Sequence, residues 1–91
     1  MVLIERKIPN GKLVRIDVQF GGGKIGSIKI TGDFFMHPED ALVEIERRMV
    51  GLDATNPRQK IAEIFSLANA EIIGFSADDI SDMVREAYEK G

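Results

Sequence analysis

Val14, Ile16, Val18 and Phe20 alternate with Arg15, Asp17 and Gln19. That period of two predicts a strand with one buried face and one wet face. Before it, Val2, Ile4 and Ile8 mark a weaker strand, set off by Pro9-Asn10-Gly11. Asn-Gly readily supplies the positive φ angles of a tight hairpin turn. After it, Gly21-Gly22-Gly23 leads into residues 24–31, where Ile28 and Ile30 share a face. Three antiparallel strands in a meander is the simplest topology.

From Pro38 the spacing becomes helical. Pro38 suits a first helical position, and Glu39 and Asp40 complement the positive end of the helix dipole. Ala41, Leu42, Ile45 and Met49 form an apolar stripe, Glu44 and Arg48 sit four apart, and Gly51 is a plausible stop. A second helix is predicted from Asn56-Pro57, with Ile61, Ile64, Phe65 and Ala68 at helical spacing. It is expected to run to about Ile73 and end at Gly74. The third opens on Ser76-Ala77-Asp78-Asp79, a cap followed by acids, and carries Ile80, Met83, Val84 and Ala87 with Tyr88 beside them. One apolar stripe per helix and one apolar face per strand predict an α+β fold. In it, three helices cover one face of a three-stranded antiparallel sheet, as a single domain over 1–91.

Composition narrows this picture. A chain of 91 residues builds one modest core, and 44% apolar residues suffice for it. No window approaches the roughly 18 consecutive apolar residues of a membrane span. Charges interrupt the N-terminal MVLIERKIPNGK, so it does not read as a signal peptide. The absence of cysteine excludes disulfides, thiolate nucleophiles and cysteine-based metal sites. A net charge of −3 gives no drive toward nucleic acid or anionic lipid. The expectation is a cytoplasmic, protein-binding domain that engages neither nucleic acid nor membrane.

Candidate chemistry is sparse. Gly21-Gly22-Gly23-Lys24 lacks the G-x-x-x-x-G-K-[ST] spacing and the following helix that a phosphate loop needs, so it reads as a hairpin turn. His37 is the only histidine and has no H-x-x-x-H or H-E-x-x-H partner, so no metal site is expected. Glu39, Asp40, Glu44, Glu46, Asp78, Asp79 and Asp82 fall at helix starts or on expected solvent faces. No catalytic residue is assigned. Two places stand out. If Val14 and its partners face the core, Leu13 lies on the polar face with Arg15 and Asp17, next to Lys12 at a turn. Exposed leucines are also ordinary surface features. In Gly32-Asp33-Phe34-Phe35-Met36, neighbouring phenylalanines of an extended segment point opposite ways. Phe34 is expected inward, with Phe35 free to pack under a helix or to meet a partner.

These two places also carry a resemblance. Lys7-Ile8-Pro9-Asn10-Gly11-Lys12-Leu13 is similar to the K-x-P-x-G-K-L stretch of the C-terminal accessory domain of lipoate–protein ligases. Lys29-Ile30-Thr31-Gly32-Asp33-Phe34-Phe35 resembles that domain's sheet-to-helix junction, typically [ST]-G-D-F-F. The acidic, then amphipathic, then glycine-terminated segment from Pro38 to Gly51 fits its first helix. The match is closest over residues 7–51, and further on it is one of pattern. Asn10 stands where glycine is frequent in the family.

The resemblance implies an accessory subunit of a two-part ligase, paired with a large catalytic subunit that activates lipoate with ATP to lipoyl-AMP. The lipoyl group then passes to a lysine of a lipoyl domain. In most members the accessory domain follows the catalytic domain in one chain; this chain fits the split arrangement. It is expected to bind no cofactor by itself, with ATP, Mg²⁺ and lipoate held in the complex. Gly11, Lys12, Leu13, Gly32, Asp33 and Phe35 are the candidate interface or adenylation-supporting residues. Lys12 would either bring positive charge near reacting phosphates or anchor partner backbone. An independent enzyme is disfavoured by the missing site chemistry, and a lipoyl carrier by three consecutive helices. A general interaction or homodimerisation domain is the remaining alternative.

Overall fold

The computed structural model describes residues 2–9 and 12–90. The chain runs β1 (Val2–Lys7), β2 (Leu13–Gly21), β3 (Lys24–Gly32), β4 (Phe35–His37), α1 (Asp40–Met49), α2 (Arg58–Ala68), β5 (Glu71–Ile73) and α3 (Ala77–Lys90). The first three strands form the expected antiparallel meander in the order β1-β2-β3. The Asn10-Gly11 part of the expected first hairpin lies outside the described residues, whereas Gly22-Gly23 joins β2 to β3 as a two-residue turn. That turn leads into a strand, which rules out a phosphate loop there.

Cross-strand register arranges the sheet into rows. Ile4, Ile16 and Ile30 form one row of the buried face; Leu3, Asp17 and Lys29, then Glu5, Arg15 and Thr31, form rows of the open face. Ile25 joins the buried face despite its odd position, because the register shifts at Gln19/Phe20. Gly26 is the extra residue of that bulge, and the parity of β3 changes across it. Period-two reading from Ile28 and Ile30 alone does not find this.

α1 and α3 lie on the sheet, α1 against β3 and α3 against β1 and β2, while α2 packs on α1 and α3 without touching a strand. The predicted stripes are the buried ones: Ala41, Ile45 and Met49; Ile61 and Ile64; Ile80, Met83, Val84 and Ala87. Phe20 of β2 meets Tyr88 of α3 edge to face, with ring centroids 5.2 Å apart. Arg6 reaches Glu86 of α3 at 2.8 Å. Ser76 and Asp79 cap α3 reciprocally: the Ser76 N–H donates to Asp79 Oδ2 at 2.8 Å, and the Asp79 N–H to Ser76 Oγ at 3.3 Å.

Three expectations need correction. α1 begins at Asp40, so Pro38 stands outside the helix. α2 stops at Ala68, well before Ile73, because Asn69 adopts the left-handed conformation that ends helices. Glu71–Ile73 then pairs with Phe35–His37 as a second, two-stranded antiparallel sheet. Finally, Glu46 is not a simple surface carboxylate. Its Oε2 accepts the Ile30 N–H at 2.7 Å, and the Ile25 N–H donates to the Leu52 carbonyl at 2.9 Å. Together these groups close the outer edge of β3 against further strand pairing.

Candidate functional site

Lys12 and Leu13 enter β2 from the first hairpin. The Ile8 N–H donates to the Lys12 carbonyl at 3.1 Å, and the Lys12 N–H donates to the Gly74 carbonyl at 3.4 Å. The hairpin is thus tied to the segment between β5 and α3. Leu13 pairs with Lys7 and stays on the open face, 40% exposed. Gly11 lies outside the described residues. Lys12 is exposed and, among the described residues, has no carboxylate within ion-pair distance.

The junction after β3 abuts this same corner. The Asp33 N–H donates to the Leu13 carbonyl at 2.9 Å. Gly32 has φ +144°, and a Cβ there would collide with the Leu13 carbonyl oxygen, so glycine alone fits. The two motifs, some twenty residues apart in sequence, form one continuous surface. Gly32 is foremost a structural requirement of that join, whereas Leu13 and Asp33 are exposed beside it.

Phe34 and Phe35 diverge as expected. Phe34 turns in, packing edge to face on Phe75 at 4.8 Å, and Phe75 in turn meets Phe65 at 6.1 Å. Phe35 points out and is 51% exposed. Its cross-strand partner is Ile73, 57% exposed, and His37 stacks nearly parallel on its ring at 6.5 Å. Sequence reasoning missed Ile73 by placing it in a helix; Asn69 followed by the β-branched Ile72-Ile73 was the available signal. Gly74 was assigned only as a helix stop. At φ +124°, a Cβ there would meet Phe34 and the Lys12 stem, so its bareness lets the hairpin, the junction and β5 close on one another.

A cleft of about 410 Å³ opens between the end of β3, β4 and the start of α1, with Phe35, Glu39 and Leu42 among its walls. Thr31 and Gly32 also line an adjoining depression with Leu13, Arg15 and Asp33. The cleft walls are mostly apolar and hold no lysine or arginine. This does not fit the phosphates of a nucleotide, which call for backbone amides at a helix start or for cations. Among the described residues no group of three or more His, Cys, Asp or Glu side chains gathers to hold a metal. No described helix is long and apolar enough to cross a membrane.

The chain is 41% identical over 39 residues to lipoate-protein ligase A subunit 2 of Thermoplasma acidophilum. That match spans 43% of this chain and 42% of the relative's own length, under half of each. A solved structure of an archaeal lipoylation system, a bipartite lipoate protein ligase and its E2 lipoyl domain from Thermoplasma acidophilum, contains a chain of matching fold. The TM-score is 0.76 over 91% of this chain and 94% of that one, at 24% identity. The chain resembles the accessory subunit of a bipartite lipoate–protein ligase. No family model matches it. The structural likeness carries the fold, and the 39-residue match carries the link to the accessory subunit.

Proposed function

We propose that this chain is the accessory subunit of a two-part lipoate–protein ligase, acting in the cytoplasm on a separate catalytic subunit. The observation that carries the reading is the meeting of the Lys12-Leu13 turn and the Gly32–Phe35 junction on one uncovered surface. Lys12, Leu13, Asp33 and Phe35, drawn from both motifs, are thereby exposed together to a single partner.

In this reading the chain binds no cofactor alone, and ATP, Mg²⁺ and lipoate are held in the complex with the catalytic subunit. What the chain supplies is a rigid face. Docking it would order loops of the larger subunit around the adenylation site, exclude water and align the reacting groups. Lipoyl-AMP then forms and the lipoyl group passes to a lysine of a lipoyl domain.

Lys12 either neutralises developing charge or anchors the partner, and one variant separates the roles. A Lys12→Ala chain that binds the catalytic subunit normally but does not support lipoyl-AMP formation places its charge at the reaction. One that loses binding makes it an anchor. The reading as a whole is tested by assaying lipoyl-AMP formation by the catalytic subunit with and without this chain. Equal rates sink it and leave a general interaction domain in its place.

A further inference from the structure

Phe35 and Ile73 are large apolar side chains facing outward from paired strands, and the Phe35 ring also borders the cleft beside α1. The rim around them is mostly acidic, with Lys12 at the Gly74 corner. Asp33, Glu39 and Glu71 are exposed, and among the described residues none has a lysine or arginine within 4.0 Å. Several carboxylates elsewhere are paired: Glu44 binds Arg47 and Arg48, Arg58 binds Asp78 and Asp82, and Glu5 binds Arg15, while among the described residues Asp40 and Glu89 are exposed without such a partner. Unpaired anions around an uncovered apolar centre are the anatomy of an interface whose partner brings the cations.

We infer that the β4–β5 ribbon and its cleft receive a basic, apolar-centred segment of the catalytic subunit. An aliphatic or aromatic anchor enters the cleft against Phe35, the neighbouring apolar surface covers Ile73, and lysine or arginine side chains beside it face Asp33, Glu39 and Glu71. This rests on the accessory-subunit reading and extends the contact beyond the two motifs, to Ile73 and Glu71. A second copy of this chain is a poorer occupant. A two-fold contact sets the same patch against itself, bringing acidic rim onto acidic rim.

The test is titration of the full-length catalytic subunit with the full chain by calorimetry and stopped flow, at two salt concentrations. Wild-type affinity should fall as salt rises. Ile73→Glu should weaken binding by about 30-fold or more, as loss of a central anchor does. The double variant Glu39→Lys/Glu71→Lys should weaken it on the order of tenfold, mainly through association rate, and flatten the salt dependence. Leu67→Ser, on α2 away from the ribbon, should bind as wild type. Thermal melts check that each variant is folded. Wild-type binding that ignores salt, or that both ribbon variants reproduce, overturns the inference and leaves the accessory reading standing. No binding by the wild type fails that reading first. Wild-type self-association abolished by Ile73→Glu overturns the inference in favour of a homodimer.

Discussion

Ile16 in β2 and Ile73 in β5 are the same residue type on the same kind of backbone, yet Ile16 is fully buried and Ile73 is 57% exposed. The three-stranded sheet turns its isoleucines and valines onto α1 and α3, and puts Glu5–Arg15, Asp17 and Lys29 on its open face. The two-stranded ribbon does the reverse on one side. Met36 and Ile72 face the core while Phe35 and Ile73 face out. The open face of the three-stranded sheet also shows Leu3 and Leu13, each opposite a charged residue, whereas Phe35 and Ile73 stand opposite one another as an apolar pair.

That contrast can be broken most forcefully at its buried end. Ile16→Ala should lose about 2–5 kcal/mol of folding stability, through lost burial and a cavity that close packing cannot fill. Urea unfolding of the variant against wild type measures it. Gly32→Ala comes next, at more than about 1 kcal/mol, because the added methyl meets the Leu13 carbonyl in a backbone conformation that side chains rarely adopt. The same titration should show a lowered midpoint with an unchanged slope.

A smaller effect tests the rim of the buried layer. The Arg6 guanidinium beside Glu86, aided by Lys90, holds the Glu86 carboxyl below its ordinary value of 4.5. A lowered folded-state value means stability that is present above pH 4.5 and disappears as pH falls through that lowered value. Glu86→Gln should thus destabilise the chain at neutral pH by no more than about 1 kcal/mol, since the pair is partly exposed. The gap between variant and wild type should narrow in melts taken at successively lower pH below 4.5. The smallest effect sharpens the comparison from its other end. Ile73→Ser should change stability by less than about 0.5 kcal/mol, as an exposed position allows. A loss as large as that of Ile16→Ala would mean that the ribbon is core after all.

Much of the fold was legible because burial repeats at fixed periods. Val14, Ile16 and Val18 declared β2, and Ile80, Met83, Val84 and Ala87 declared the inner face of α3. The ribbon was not legible for the opposite reason. β5 has three residues, too few for any period to register, and its outward Ile73 mimics the end of the preceding apolar stripe. The site divided in the same way. Leu13 and Phe35 stood out because each breaks the alternation around it; both are exposed, which for Phe35 decides between packing under a helix and facing outward. Ile73, Gly74 and Glu46 break no local pattern; each acts only through a residue distant in sequence.

By itself, then, the sequence determined which faces are apolar, where most helices begin, and which side chains have no place inside. Those are local properties, set by side-chain chemistry and backbone period. Only the tertiary structure decided that Lys12 meets Gly74, that Gly32 abuts Leu13, that Glu46 closes an edge of the sheet, and that Phe35 gains Ile73 as a neighbour. Those are long-range pairings between segments that carry no signal of one another. They form because α1 and α3 packing on one face of a sheet, with α2 across them, bring the ends of distant elements to the same corner.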